Sequence, residues 1–128
     1  MIVHVTATAL TSENKTLAHP ASIDSLPTSG GQEDQVSMAP WAGFKLLKIQ
    51  KNLSNILAIE FIVAGAANNI ISNDLKPGKG TAPVIAFLNE NCSFNAGDRP
   101  MSSEIEKVSD SILSGHLLQI VSKYITLE

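Results

Sequence analysis

The pattern that most limits how this chain can fold is a helical repeat running from about Met38 to Ile71. Leu46, Ile49, Leu53, Ile56, Val63 and Ala67 recur at spacings of three, four and seven residues, the period of one α-helical face. Ser37 stands where a cap is useful, and Pro40 is tolerated in a first turn. From Lys48 to Asn55 the opposite face is polar. From Ile56 to Ala67 the pattern is apolar nearly all round, so several neighbours are expected to bury that half. Glu60 interrupts it and is expected to find an interhelical polar partner. At about 1.5 Å per residue the helix would be roughly 50 Å long. That exceeds the width of a globule of 128 residues. Such a rod implies a bundle larger than this chain, or an oligomer.

The remainder reads as shorter pieces around the rod. Val3, Ala7, Leu10 and Leu17 share a helical face, although Val3, Val5 and Ala7 also alternate as a strand would. Helix is preferred from about Ala7 to Ala18. Residues 19–37 read as a long loop rich in Pro, Gly, Ser and Asp, and loops of that length are usually functional or disordered. Ser72–Gly80 is a break. Shorter helices are expected at about 82–91, on Val84, Phe87 and Leu88, and at about 103–114. Ser103 and Glu106 have capping-box spacing, Ile105, Val108, Ile112 and Leu113 form the stripe, and Gly115 is a stop. The tail Leu117–Leu127 fits a helix slightly better than a strand. The expected class is all-α, one segment of a long-helix bundle.

Composition narrows the function. Acidic residues number 12 and basic residues 9, and Arg99 is the only arginine. A nucleic-acid groove needs clustered basic side chains, so no nucleic-acid partner is expected. The apolar run Ile56–Ala67 is short for a bilayer span, and no membrane partner is expected. Met1–His4 lacks the basic start of a signal peptide, so cytoplasmic residence is the expectation. Cys92 can make no internal disulfide and suits a small apolar filler. His4, His19 and His116 are far apart, and no spacing suggests a metal site. Gly78-Lys79-Gly80-Thr81 is not a phosphate loop, because that motif needs the lysine directly before Ser or Thr. Ser, His and Asp occur without a nucleophile-elbow pattern.

The informative spot is Gln32-Glu33-Asp34, where the long loop meets the long helix. Two carboxylates before a helix start are favoured by the positive end of the helix, which is the plain structural reading. The functional reading sets a carboxylate at a pocket mouth, able to bind a hydrogen-bonding substrate or move a proton. The residues alone leave both open.

The run Ser12–Met38, SENKTLAHPASIDSLPTSGGQEDQVSM, closely resembles the C-terminal part of histidine ammonia-lyases, members of the aromatic amino acid lyases. LAIEFIVAGAA (57–67) and GDRPMSSEIEKVSDSILSG (97–115) are similar to the same family, in the same order. The resemblance implies a fold of long, near-parallel helices, a homotetramer, and active sites assembled from several subunits. It implies the non-oxidative conversion of L-histidine to urocanate and ammonia. The family's electrophile is a methylideneimidazolone formed from its own Ala-Ser-Gly triplet, with no metal. No such triplet occurs here; Ala21-Ser22-Ile23 and Thr28-Ser29-Gly30 lack the needed identity. The isolated chain is therefore expected to lack lyase activity and to need a second copy or a complementing lyase chain.

One site residue carries over. Glu33 matches the glutamate that the family places near the substrate imidazole, where relatives acting on phenylalanine or tyrosine tend to carry glutamine. Typical histidine lyases have histidine where this chain has Gln35. The alternatives are a lyase part acting on another aromatic amino acid, or a non-catalytic helical interaction module.

Overall fold

A computed structural model describes residues 2–71 and 76–126. It contains five α-helices: α1 (Ile2–Leu17), α2 (Ala39–Ile70), α3 (Ala82–Asn91), α4 (Ser102–Leu113) and α5 (His116–Ser122). Among the described residues there is no strand, and the fold is all-α. The expected break at Ser72–Gly80 falls partly outside the described residues.

Helix α2 is the spine. Its 32 residues extend about 48 Å. Met38 is its N-cap residue, Pro40 lies in the first turn, and the Ser37 hydroxyl accepts the Ala39 N–H at 3.3 Å. One face of α2 is buried, through Asn52, Ser54, Ala58, Ile59, Ile62 and Gly65. Helices α1 and α4 supply most of the covering surface. The core gathers Ala58, Ile62, Leu88, Cys92, Val108 and Leu117, with Phe61, Phe87, Phe94 and Ile105 packed around it.

Several local expectations need correction. The half of α2 from Ile56 to Ala67 is not buried all round: Val63 is 50% exposed and Ala67 is exposed. Glu60 lies on that open face and makes no hydrogen bond or ion pair among the described residues, because no neighbouring helix of this chain reaches it. α1 is helical from Ile2, since Val3, Ala7, Leu10 and Leu17 all turn toward the bundle while Val5 is exposed. The capping box does not form: α4 begins at Ser102 behind Met101, and Ser103 lies inside the first turn. The tail is helical over His116–Ser122, after Gly115 at φ +75°.

The apolar helix is also longer than the run Ile56–Ala67. By length and composition alone α2 could cross a bilayer, since an 18-residue window has mean hydropathy 1.4. Its buried face is nevertheless partly polar. Asn52 donates to Glu13 Oε2 at 2.8 Å and to Asn14 Oδ1 at 3.0 Å. Lys48 pairs with Glu13, and Lys51 pairs with Asp110 at 3.0 Å. These bonds tie α2 to α1 and α4.

Candidate active-site loop

The segment between α1 and α2 is ordered by its own hydrogen bonds. Ala21–Asp24 forms a 3₁₀ turn that buries Ala21 against α2, and Lys45 of α2 donates to the His19 carbonyl. At the base of the next excursion a single hydroxyl serves two backbone groups. Ser25 Oγ accepts the Val36 N–H at 2.8 Å and donates to the Val36 carbonyl at 3.0 Å. Nearer the tip, Thr28 and Glu33 form an antiparallel bridge, with Thr28 N–H to Glu33 O at 3.0 Å and Glu33 N–H to Thr28 O at 3.3 Å. Ser29, Gly30 and Gly31 reverse the chain between them at φ 55°, 67° and 87°. L-residues avoid that region, so the Gly30-Gly31 pair is what makes so tight a return inexpensive.

Glu33 therefore stands on a closed loop just ahead of α2. Its side chain is exposed, and Thr28 Oγ1 donates to Oε2 at 3.2 Å. Among the described residues Oε1 accepts no hydrogen bond. The nearest groove, about 450 Å³, is lined by Ala21, Ser22, Gln35, Val36, Met38 and Ala42. Gln35 thus faces the groove while Glu33 stands outside it, and Asp34 between them is exposed. Trp41 and Phe44, 55% and 66% exposed, continue an apolar surface along the first turns of α2.

Sequence reasoning missed Ser25 and Thr28. A Gly-Gly pair flanked by Thr28 and Glu33 is a hairpin-type signal that could have exposed the bridge. The double bond from Ser25 to Val36 leaves no local sequence signature.

A second groove, about 880 Å³, lies between the start of α1 and the segment entering α4, lined by Ile2, Val3, Thr6, Met101 and Ile105. Arg99 on its rim is committed to Glu104. Among the described residues no group of His, Cys, Asp or Glu is arranged to hold a metal ion. Ala21-Ser22-Ile23 lies in a 3₁₀ turn and Thr28-Ser29-Gly30 in the exposed Thr28–Gly31 return.

The aromatic amino acid lyase family model matches residues 1–90. A histidine ammonia-lyase of Idiomarina loihiensis is 48% identical over 124 residues, covering 94% of this chain and 24% of that protein. One from Burkholderia mallei is 58% identical over 85 residues, covering 66% of this chain and 16% of that protein. The crystal structure of histidine ammonia-lyase from Trypanosoma cruzi superposes with a TM-score of 0.87 at 34% identity, over 98% of this chain and 25% of that one. The chain spans about a quarter of the length of the Idiomarina relative and of the solved structure. With its fold and most of its length matched in this way, the chain belongs to the aromatic amino acid lyase family.

Proposed function

We propose that this chain supplies one wall of a histidine ammonia-lyase active site, with Glu33 as the carboxylate facing the imidazole of L-histidine. The assembled site would release ammonia without oxidation and give urocanate. An imidazole N–H is a donor that a phenyl ring lacks, and a carboxylate is its strongest acceptor. Glu33 would bind and orient the ring, and could hold a proton during the elimination. The observation that carries the reading is the state of Glu33: Thr28 donates to one carboxylate oxygen, and among the described residues the other accepts no hydrogen bond.

The electrophile would come from polypeptide outside these 128 residues, because no Ala-Ser-Gly triplet occurs among them. Either a second lyase chain or a longer form of this one would provide it, in a cytoplasmic homo-oligomer or complemented assembly. Gln35 lines the neighbouring groove and keeps hydrogen bonding without a titratable ring, which leaves room for a substrate other than histidine. The open apolar face of α2 favours a second reading, a helical interaction module without chemistry of its own.

The test is co-expression with a histidine ammonia-lyase chain cut ahead of the homologous segment. Urocanate formed by the pair, by neither part alone, and formed much more slowly with the Glu33→Gln variant is the expected result. Urocanate made by the purified chain alone would overturn the division of labour. Co-purification without turnover would favour the interaction module.

A further inference from the structure

The geometry points to Thr28 as a positioning residue that aims the Glu33 carboxylate, within a loop that Ser25 clasps at its base. The inference rests on the reading of Glu33 as the imidazole-facing group. Three hydrogen bonds join Thr28 to Glu33, two through the backbone and one through the side chains. Residues that exchange both backbone bonds in an antiparallel pair carry their side chains on the same side. That places the Thr28 hydroxyl beside the carboxylate, where it donates to Oε2 at 3.2 Å. A glutamate on an open, exposed loop samples several rotamers, and a substrate must freeze one of them. Here the hydroxyl has already selected one, and Oε1 is left as the acceptor for an incoming N–H donor.

Ser25 does the same for the backbone. Its hydroxyl satisfies both polar groups of Val36, eleven residues away, with bonds of 2.8 and 3.0 Å. The excursion is thus closed twice, at Ser25–Val36 and at Thr28–Glu33. The inner closure fixes the carboxylate, and the outer one fixes where the loop leaves for α2. Neither residue would touch substrate.

The test compares Thr28→Val, which keeps the shape and loses the donor, with Thr28→Ser, which keeps the donor. Glu33→Gln and the double variant complete the cycle. In the complemented lyase, Thr28→Val is expected to raise KM for L-histidine about 3- to 10-fold, the range of one hydrogen bond. kcat and the melting temperature should move little, Thr28→Ser should restore KM, and Thr28→Val should add nothing in the Glu33→Gln background. An unchanged KM in Thr28→Val, beside a clear loss in Glu33→Gln, overturns the positioning role and leaves Glu33 standing. No effect of Glu33→Gln overturns both. An equal effect of Thr28→Val with and without Glu33 means the hydroxyl acts elsewhere, and also overturns it. A measurement on the chain by itself keeps the proposal open to refutation without turnover. NMR couplings of the Glu33 side chain should report one rotamer in the wild type and averaging in Thr28→Val, and identical couplings in both would refute it.

Discussion

The hydroxyl oxygens of Ser54 and Ser109 meet 2.8 Å apart in the buried contact between α2 and α4. Each hydroxyl has one proton. Ser54 donates its proton to the Lys51 carbonyl at 2.8 Å, so Ser109 is the donor to Ser54. The Lys51 ammonium in turn lies 3.4 Å from Ser109 Oγ. The bonds run from the head of Lys51 through both serines and back to its own carbonyl. This closed circuit lets two buried hydroxyls sit in an apolar contact without an orphan.

Ser109→Ala removes the middle of that circuit. It should cost about 1 kcal/mol, seen as a lower urea midpoint with unchanged slope. Replacing both serines by alanine should cost less than the two single losses added together, because neither partner is then left unmatched. Additive losses would show that the pair is not coupled.

Acid should unfold the chain through Glu104. Arg99 holds it in a two-pronged pair, Nε to Oε1 at 3.0 Å and Nη2 to Oε2 at 2.9 Å, and the Ser93 N–H adds a third bond at 3.2 Å. The Arg99 bonds come first in lowering the Glu104 pKa below 4.5, against the opposing effect of burial, and the same pairing raises that of Arg99. A carboxylate lowered in the folded state stabilises it fully above its unfolded pKa. That contribution fades as pH falls from about 4.5 through the lower folded value. Arg99 stays charged throughout this window. Glu104→Gln should cost about 1–3 kcal/mol at pH 7 and flatten the acid limb of the stability curve. An unchanged acid limb would show that other carboxylates dominate.

Gly65→Ala pits two effects against each other. Alanine favours a helix interior over glycine by about 1 kcal/mol. A Cβ at this position would meet Phe94 Cζ at 2.8 Å and Leu88 Cδ1 at 3.2 Å. Overpacking of that kind costs about 1–3 kcal/mol. The ring and the leucine both lie against the core and have little room to yield. A net loss of about 1 kcal/mol in chemical denaturation is expected. A gain would mean that Phe94 moves freely.

The parts of this fold legible in the sequence are those governed by period. Leu46 through Ala67 announce α2, and Ile105, Val108 and Ile112 announce α4, because apolar spacing maps directly onto a helix face. The capping box at Ser103 and Glu106 failed because Met101 and the Arg99–Glu104 pair set the entry to α4 one residue earlier. Glu60 was misjudged because periodicity shows which residues are apolar, and not how many neighbours a single chain provides. In the loop ahead of α2, the Gln32-Glu33-Asp34 motif is plain in the sequence. The clasp from Ser25 to Val36 is not, since it links residues eleven apart through one side chain and the backbone.

The outer face of α2 gives the last expectation. Leu46 and Leu53 are 55% and 48% exposed, Val63 is 50% exposed and Ile70 is 81% exposed. With Ile49, Ile56 and Ala67 they form a heptad-like stripe in which Glu60 occupies a place that an apolar residue would fill. A stripe of this length exposed to water favours association. Glu60 opposes it, since meeting a like helix would bring its charge out of water. Sedimentation of the purified chain should therefore show association that grows with concentration. Glu60→Leu should strengthen it, and Val63→Glu should weaken it, while helix content by circular dichroism stays the same. A monomer at all concentrations in both the wild type and Glu60→Leu would mean that this face is not self-complementary. The covering helices would then have to belong to a different polypeptide.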